Sequence, residues 1–494
     1  MRRYFLLPIL TGALVCLGCG GSGEQVAVVQ PDSASSAGAT GSAAQTAAQP
    51  IAKPTFSYPQ SRRGDVVDTL HGTQVADPYR WLEDPKSDET QGWIAAQNKI
   101  TFGFLEGIGV RESIRQRLTA IWDYEKYGAP MKRGGRYFFS KNDGLQNQSV
   151  IYWTESLSAE PKVLLDPNKM SEDGTVALSG MSVSEDGKYV AYSLQSGGSD
   201  WQEWHVREVA TGKDLGDHLK WSKFSGAAWT HDSKGFFYSR YPEPKAGANL
   251  TEANYFQKLY YHRLGTDQSQ DELIYERPDE KKWGFGGRVS DDGRYLLISV
   301  WKGTGNENLV FFRDLGVPIQ ARGKRRRIAK TTQKPIRELV SKFESNFSFI
   351  DNKGPVFWFF TDLDAPRGRI IAIDTRRPQR KNWKEIIPQS EHTLRGANIV
   401  GDKLIASYLK DAHSQIVTFD LNGKRLGEVA LPGIGSAGGF AGRRGDSETF
   451  YSFTSFTTPS TIYRYDVKSG TSEIFRQPKV AFDTSGYETK QIFY

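Results

Sequence analysis

The sequence predicts a mainly β fold of seven similar units set radially, preceded by a short helical segment. Three observations carry that reading. One strand pattern, apolar residues closed by a charge, recurs seven times between residues 151 and 466. A tight turn followed by alternating apolar residues precedes many of its copies. Ahead of both, two stretches carry apolar residues at helical rather than strand spacing.

Taken in order, Met1 to Gly18 join Arg2 and Arg3 to an apolar run from Tyr4 to Leu17. This is the layout of an export signal and is too short to span a membrane. The run ends in "VCLGC", and Gly18-Cys19 followed by Gly20, Gly21 and Ser22 resembles a bacterial lipoprotein cleavage site, with Cys19 as the expected lipid attachment point. Cys16 stands where Leu is usual, so plain secretion or periplasmic release stays open. The expected location is the cell envelope, by a lipid anchor, or the periplasm or exterior. Only two cysteines exist, both inside this signal (residues 1–19), so the processed chain has no thiol pair for a disulfide. Residues 20–55 are mostly Ala, Ser, Gly, Gln and Thr, cannot bury enough apolar surface to fold, and read as a disordered tether spanning roughly 30–35 Å.

A net charge of +7 could suggest a nucleic-acid partner. It does not survive partition: without Arg2 and Arg3 the balance is 62 − 57 = +5, and "RGKRRRIAK" (Arg322 to Lys330) supplies six positive charges alone. The rest is near neutral, so no nucleic-acid binding is expected, and the basic run reads as solvated surface.

Residues 56–125 form the helical segment. "DPKSDETQGWIAAQNKITFGFL" starts with Pro85 and Ser87 as helix-start signals and carries Trp93, Ala96, Ile100 and Phe104 on one stripe. A second helix follows, with Ile114, Leu118, Ile121 and Trp122 on one face. Such faces need something to pack on.

From there to residue 482 the repeat takes over. Its copies are "IYWTE" ending at Glu155, "WHVRE" at Glu208, "LYYHR" at Arg263, "VFFRD" at Asp314, "IIAID" at Asp374, "IVTFD" at Asp420 and "IYRYD" at Asp466, spaced by 53, 55, 51, 60, 46 and 46 residues. "SEDGKYVAYSL" from Ser184 and "SDDGRYLLISV" from Ser290 show the preceding turn and strand. Units of about 50 residues hold three or four antiparallel strands, and a seven-bladed β-propeller over residues 126–482 protects their edges. Beyond it, residues 483–494 end on the alternating Lys490-Gln491-Ile492-Phe493-Tyr494, which reads as a strand beginning.

"YPQSRRGDVVDTLHGTQVADPYRWLED" (Tyr58 to Asp84), "NDGLQNQSVIY" (Asn142 to Tyr152), "GGSDW" (Gly197 to Trp201) and "LYYHRLGTDQSQDELIYERPDE" (Leu259 to Glu280) resemble the prolyl oligopeptidases, serine peptidases that cut short peptides after proline. The resemblance covers residues 56–494. It implies a propeller joined to an α/β-hydrolase domain, on which the N-terminal segment packs and which residues 483–494 would begin. It also implies that Phe224 and Ile274 line the substrate side of the propeller, and that Asp200, with Trp201 beside it, meets the hydrolase domain.

The chemistry of that fold needs a Gly-x-Ser-x-Gly elbow and later Asp and His. None of the 494 residues forms such an elbow, so no catalytic residue is assigned. "GIGSAG" (Gly433 to Gly438) matches a dinucleotide fingerprint as text, but more glycines follow in place of a helix. No cofactor is expected, and no His, Cys and carboxylate spacing points to a metal. The reading is the propeller part of a prolyl endopeptidase, inactive alone, with peptides, a membrane through the N-terminal anchor and a separately encoded hydrolase domain as candidate partners. The alternative is a non-catalytic, lipid-anchored propeller that binds peptides or an envelope partner.

Overall fold

The computed structural model describes residues 55–249, 252–316 and 334–494. The signal, Cys19, nearly all of the tether and the basic run Arg322 to Lys330 lie outside them. The described residues form two compact units, divided after Leu118.

In the first unit, strands Val67–Leu70 and Thr73–Ala76 form a hairpin whose turn residues His71 and Gly72 both take positive φ (53° and 83°), the conformation a two-residue turn needs to match strand twist. Helix α1 spans Asp88–Glu106. Ser87 caps it by accepting the Thr90 N–H at 3.2 Å, and Asp88 and Glu89 place negative charge in its first turn. Arg62 grips Glu89 with two bonds of 2.5 and 2.9 Å, and Trp93 donates to Ser61 at 2.8 Å. Helix α2 spans Arg111–Trp122, and its apolar face of Ile114, Leu118, Ile121 and Trp122 is exposed.

The second unit is a seven-bladed propeller. Its sheets occupy residues 126–165, 176–222, 228–275, 283–340, 347–387, 393–428 and 436–476, here blades 1 to 7. Blades 2 to 7 are four-stranded meanders in chain order. In blade 1 the first position is split between Lys126–Tyr127 and Met131–Arg133, both paired with Arg136–Asn142. The sequence turns fold as their chemistry dictates. Ser184 donates to Asp186 at 2.8 Å and accepts the Tyr189 N–H at 2.9 Å, with Gly187 at φ 69°. Ser290, Asp292, Gly293 and Tyr295 repeat the arrangement in blade 4.

The core is divided among the seven seams between neighbouring blades. At the seam of blades 4 and 5, Phe312, Phe357, Phe359 and Ile373 are among twelve buried apolar residues, each contributing roughly 1.5–3 kcal/mol. The seam that joins blade 7 back to blade 1 is the thinnest: only Tyr137, Phe450 and Ile462 are fully buried there. Among the described residues no strand from one end of the chain enters the sheet of the other, and side chains close the ring.

The alternating residues 490–494 form no strand, and Ile492 and Phe493 stand exposed. Alternation marks a strand only where a neighbour takes its backbone hydrogen bonds.

Candidate functional site

The first strand of each blade lines a central channel. Because these strands run in the same direction along it, their C-terminal ends gather at one mouth, and the loops that precede them gather at the other.

The first mouth is charged. It encloses a cavity of about 360 Å³ whose lining includes Arg133, Glu185, His231, Arg288, Asp351 and Arg443, drawn from six blades. Arg443 of blade 7 crosses to Glu185 of blade 2 with two bonds, one of them 2.5 Å, and lies 3.2 Å from Asp291 of blade 4. His231 sits 3.7 Å from the same Glu185. Arg288 donates to the carbonyls of Phe349 and Ile350 at 2.7 and 3.0 Å, tying blade 4 to blade 5. Burial, helped by Asp291, pushes the Asp351 carboxyl up to about 6, and burial together with the charge of Arg443 pulls Arg133 down. These residues are far apart in sequence, and sequence reasoning missed them. The signal that could have found them is positional: each lies at or just past the end of a first strand.

The other mouth carries the residues singled out from the sequence. Trp201 lies at the hairpin that follows the second strand of blade 2, and Phe224 in the loop leading into blade 3. Trp201 donates its indole N–H to the Asn249 carbonyl at 2.7 Å and meets Trp221 and Tyr241 edge-on, with centroids 5.6 and 6.3 Å away. The Lys223 ammonium lies 4.1 Å from the centre of the Trp201 ring. Burial lowers the Lys223 pKa while the exposed Asp200 acts to raise it, so Asp200, Trp201 and Lys223 form one electrostatic unit. Phe224, next in sequence, is 60% exposed. Three aromatic residues of this region, Trp221, Phe224 and Phe256, hold positive φ of 62°, 54° and 59°. Bulky residues reach that backbone region only where surrounding structure imposes it. The bonds that impose it are visible: Gln257 donates to the Lys223 carbonyl at 3.0 Å, and the Phe256 N–H bonds Lys281.

Ile274 sits on a strand rather than in a loop of this mouth. It lies on Glu272–Tyr275, the outermost strand of blade 3, buried with Leu259 and Phe285 in the core against blade 4. The strand is the one farthest from the channel, and Ile274 also lines a cavity of about 300 Å³ with His231, Tyr261 and Arg313. Among the described residues no hydrogen bond joins a serine hydroxyl to a histidine ring. His262, buried between Asp217 and Asp271 at 2.8 and 2.7 Å, is locked into a structural bridge.

A contiguous ring of seven such sheets around a channel, with one charged and one aromatic mouth, defines a β-propeller. The chain belongs to the prolyl oligopeptidase family: residues 58–478 match its N-terminal β-propeller domain. It is 40% identical over 439 residues to a prolyl endopeptidase of Elizabethkingia meningoseptica, covering 89% of this chain and 60% of that protein. A prolyl endopeptidase of Dictyostelium discoideum is 31% identical, with 89% and 65% covered. Among solved structures, one from a study of two prolyl endopeptidases superposes with a TM-score of 0.79 at 35% identity, covering 89% of this chain and 62% of that one. Prolyl oligopeptidase B of Galerina marginata, bound to a 35mer hydrolysis and macrocyclization substrate, superposes at 0.78 with 28% identity, covering 89% and 63%. The chain thus spans about 60% of the length of the curated relatives it matches.

Proposed function

We propose that this chain is the propeller part of a prolyl oligopeptidase-like serine endopeptidase that cuts short peptides after proline, and that it does not hydrolyse peptides by itself. Nucleophile, base and acid come from a hydrolase domain whose elbow these 494 residues do not contain. The observation that carries the reading is the strained aromatic mouth. Phe224 is held exposed on imposed backbone beside Trp201, Lys223 and Asp200, a surface built to meet a substrate and a second domain. The charged mouth at the other end would act as the filter, admitting chains small enough to pass between Arg443, Glu185 and Asp291.

The test is hydrolysis of a chromogenic proline peptide by this chain alone and after joining it to the hydrolase domain of the Elizabethkingia relative. The expected result is no turnover alone, turnover when joined, and a raised KM with little change in kcat for Phe224→Ala. Serine-inhibitor-sensitive turnover by the chain alone would overturn the reading. Tight peptide binding by the chain alone, with no gain on joining, would favour the non-catalytic binding propeller. We further propose export with lipid attachment at Cys19, supported by the layout of residues 1–19 and checked by loss of the lipid mass in Cys19→Ala.

A further inference from the structure

Blade 2 brings three side chains with metal-ligand chemistry onto one face of two neighbouring strands. Gln202–Glu208 and Asp214–Ser222 pair antiparallel, and the register sets His205 directly opposite His218. Side chains alternate along a strand. Trp204 is therefore buried against blade 3, while Glu203 and His205 share the other face. The two imidazoles stack with centroids 4.6 Å apart and planes 15° apart. His218 Nε2 lies 2.6 Å from Glu203 Oε2. One ligand atom from each of the three residues falls within 4.8 Å of the others.

We propose that Glu203, His205 and His218 bind a divalent transition-metal ion of the zinc type on the outer wall of blade 2, with water completing the coordination. Two imidazoles and one carboxylate suit Zn²⁺ and its neighbours rather than Mg²⁺ or Ca²⁺, which prefer oxygen throughout. Zinc bonds of about 2.0–2.2 Å put two ligands of a tetrahedral site about 3.3 Å apart. The observed spacing closes to that by side-chain rotation alone, because Glu203 and His218 are exposed and free to turn. His205 supplies the fixed point. It is half-buried and stacked on Tyr192 at 5.5 Å, and the Tyr192 hydroxyl is held by Asp214 at 3.0 Å.

The charges around the site favour a cation. Arg207, the nearest positive charge on the same strand, is committed to Asp214 through two bonds of 2.8 and 2.7 Å. Glu203 adds the negative charge. The site lies on the third and outermost strands of the blade, away from the channel, so the ion would clip those two strands together rather than enter the peptide path. No linear spacing announces it, since thirteen positions separate the two histidines and only the strand register joins them.

The test is calorimetric titration of the chelator-treated full chain with ZnCl₂. The expected result is one zinc per chain. Affinity should fall about 10-fold in Glu203→Gln and about 100-fold in the double variant His205→Gln/His218→Gln. Zinc should raise the Tm of the wild type but not of the double variant, and Co²⁺ should give visible absorption that the double variant lacks. The metal-free Tm of each variant verifies its fold, and if the double variant fails to fold, His218→Gln, on the exposed outer strand, decides. A wild type that takes up no zinc, or variants that bind it as the wild type does, would overturn the site.

Discussion

His262 shows how one residue can set the pH response of a fold. It is fully buried, with Nδ1 2.7 Å from Asp271 and Nε2 2.8 Å from Asp217, so both ring nitrogens donate and the imidazolium is the form the site accepts. Burial alone would pull its pKa down; the hydrogen bonds and charges of the two carboxylates outweigh it and hold the ring at about 9. Since the folded value lies above the unfolded one, this stabilisation is complete below about pH 6.5 and drains away as pH rises through 9. His262→Gln should cost about 3 kcal/mol at pH 7 and flatten the fall in Tm between pH 7 and 9.5. If both proteins show the same slope across that window, the bridge is not the cause. Asp351 at the charged mouth responds to pH in the same direction, over a lower window. Burial raises it to about 6, so ionising it in the folded state costs stability that accrues as pH climbs from about 4 through 6. Asp351→Asn should therefore raise stability at pH 7 by about 3 kcal/mol and have little effect at pH 4, as urea unfolding at the two pH values would show.

At the scale of elements, the strands were legible and their convergence was not. The run from Ser184 to Leu194 announces a turn and a strand because a Ser-x-Asp-Gly turn bonds only its own neighbours, and alternation reports a face. Both are local facts. The charged mouth depends on six strand ends meeting in space, and the pairing of His205 with His218 on register, so neither leaves a trace at short range. The place of Ile274 on an outer strand is likewise a property of the whole blade and not of its neighbours in sequence. Helix α2 is amphipathic as its spacing predicts, and among the described residues its apolar face stays exposed at Ile114, Leu118, Ile121 and Trp122. An uncovered stripe of this kind promotes association. Ile114→Glu with Leu118→Glu should reduce hydrophobic-dye binding and light scattering of the isolated chain while leaving the propeller Tm within about 1 °C, since surface substitutions usually change stability by under about 0.5 kcal/mol. A drop of several degrees would mean that the stripe is packed in solution.

For the whole molecule, the decisive feature is how the ring closes. Each blade is built from consecutive strands, so chain connectivity holds every seam except the one between blades 7 and 1. That seam is also the poorest in buried apolar residues, with Tyr137, Phe450 and Ile462 fully buried against the twelve between blades 4 and 5. A polar clasp supplements it: the Tyr137 hydroxyl donates to Glu448 at 2.5 Å, and Arg464 holds the other oxygen of that carboxylate at 2.5 Å. Opening there exposes less apolar surface than opening anywhere else and breaks no strand pairing, so the ring should part there first. Native-state hydrogen exchange should accordingly show the lowest protection in the strands facing this seam, 136–142 of blade 1 and 461–466 of blade 7, and the highest in 356–361 and 369–374. Phe450→Ala should deepen the contrast at the 7–1 seam by roughly 3 kcal/mol. Phe357→Ala should lower the protection of blades 4 and 5 without touching blades 1 and 7. Equal protection around the ring would mean that the propeller opens as one cooperative unit and that the thin seam has no mechanical consequence.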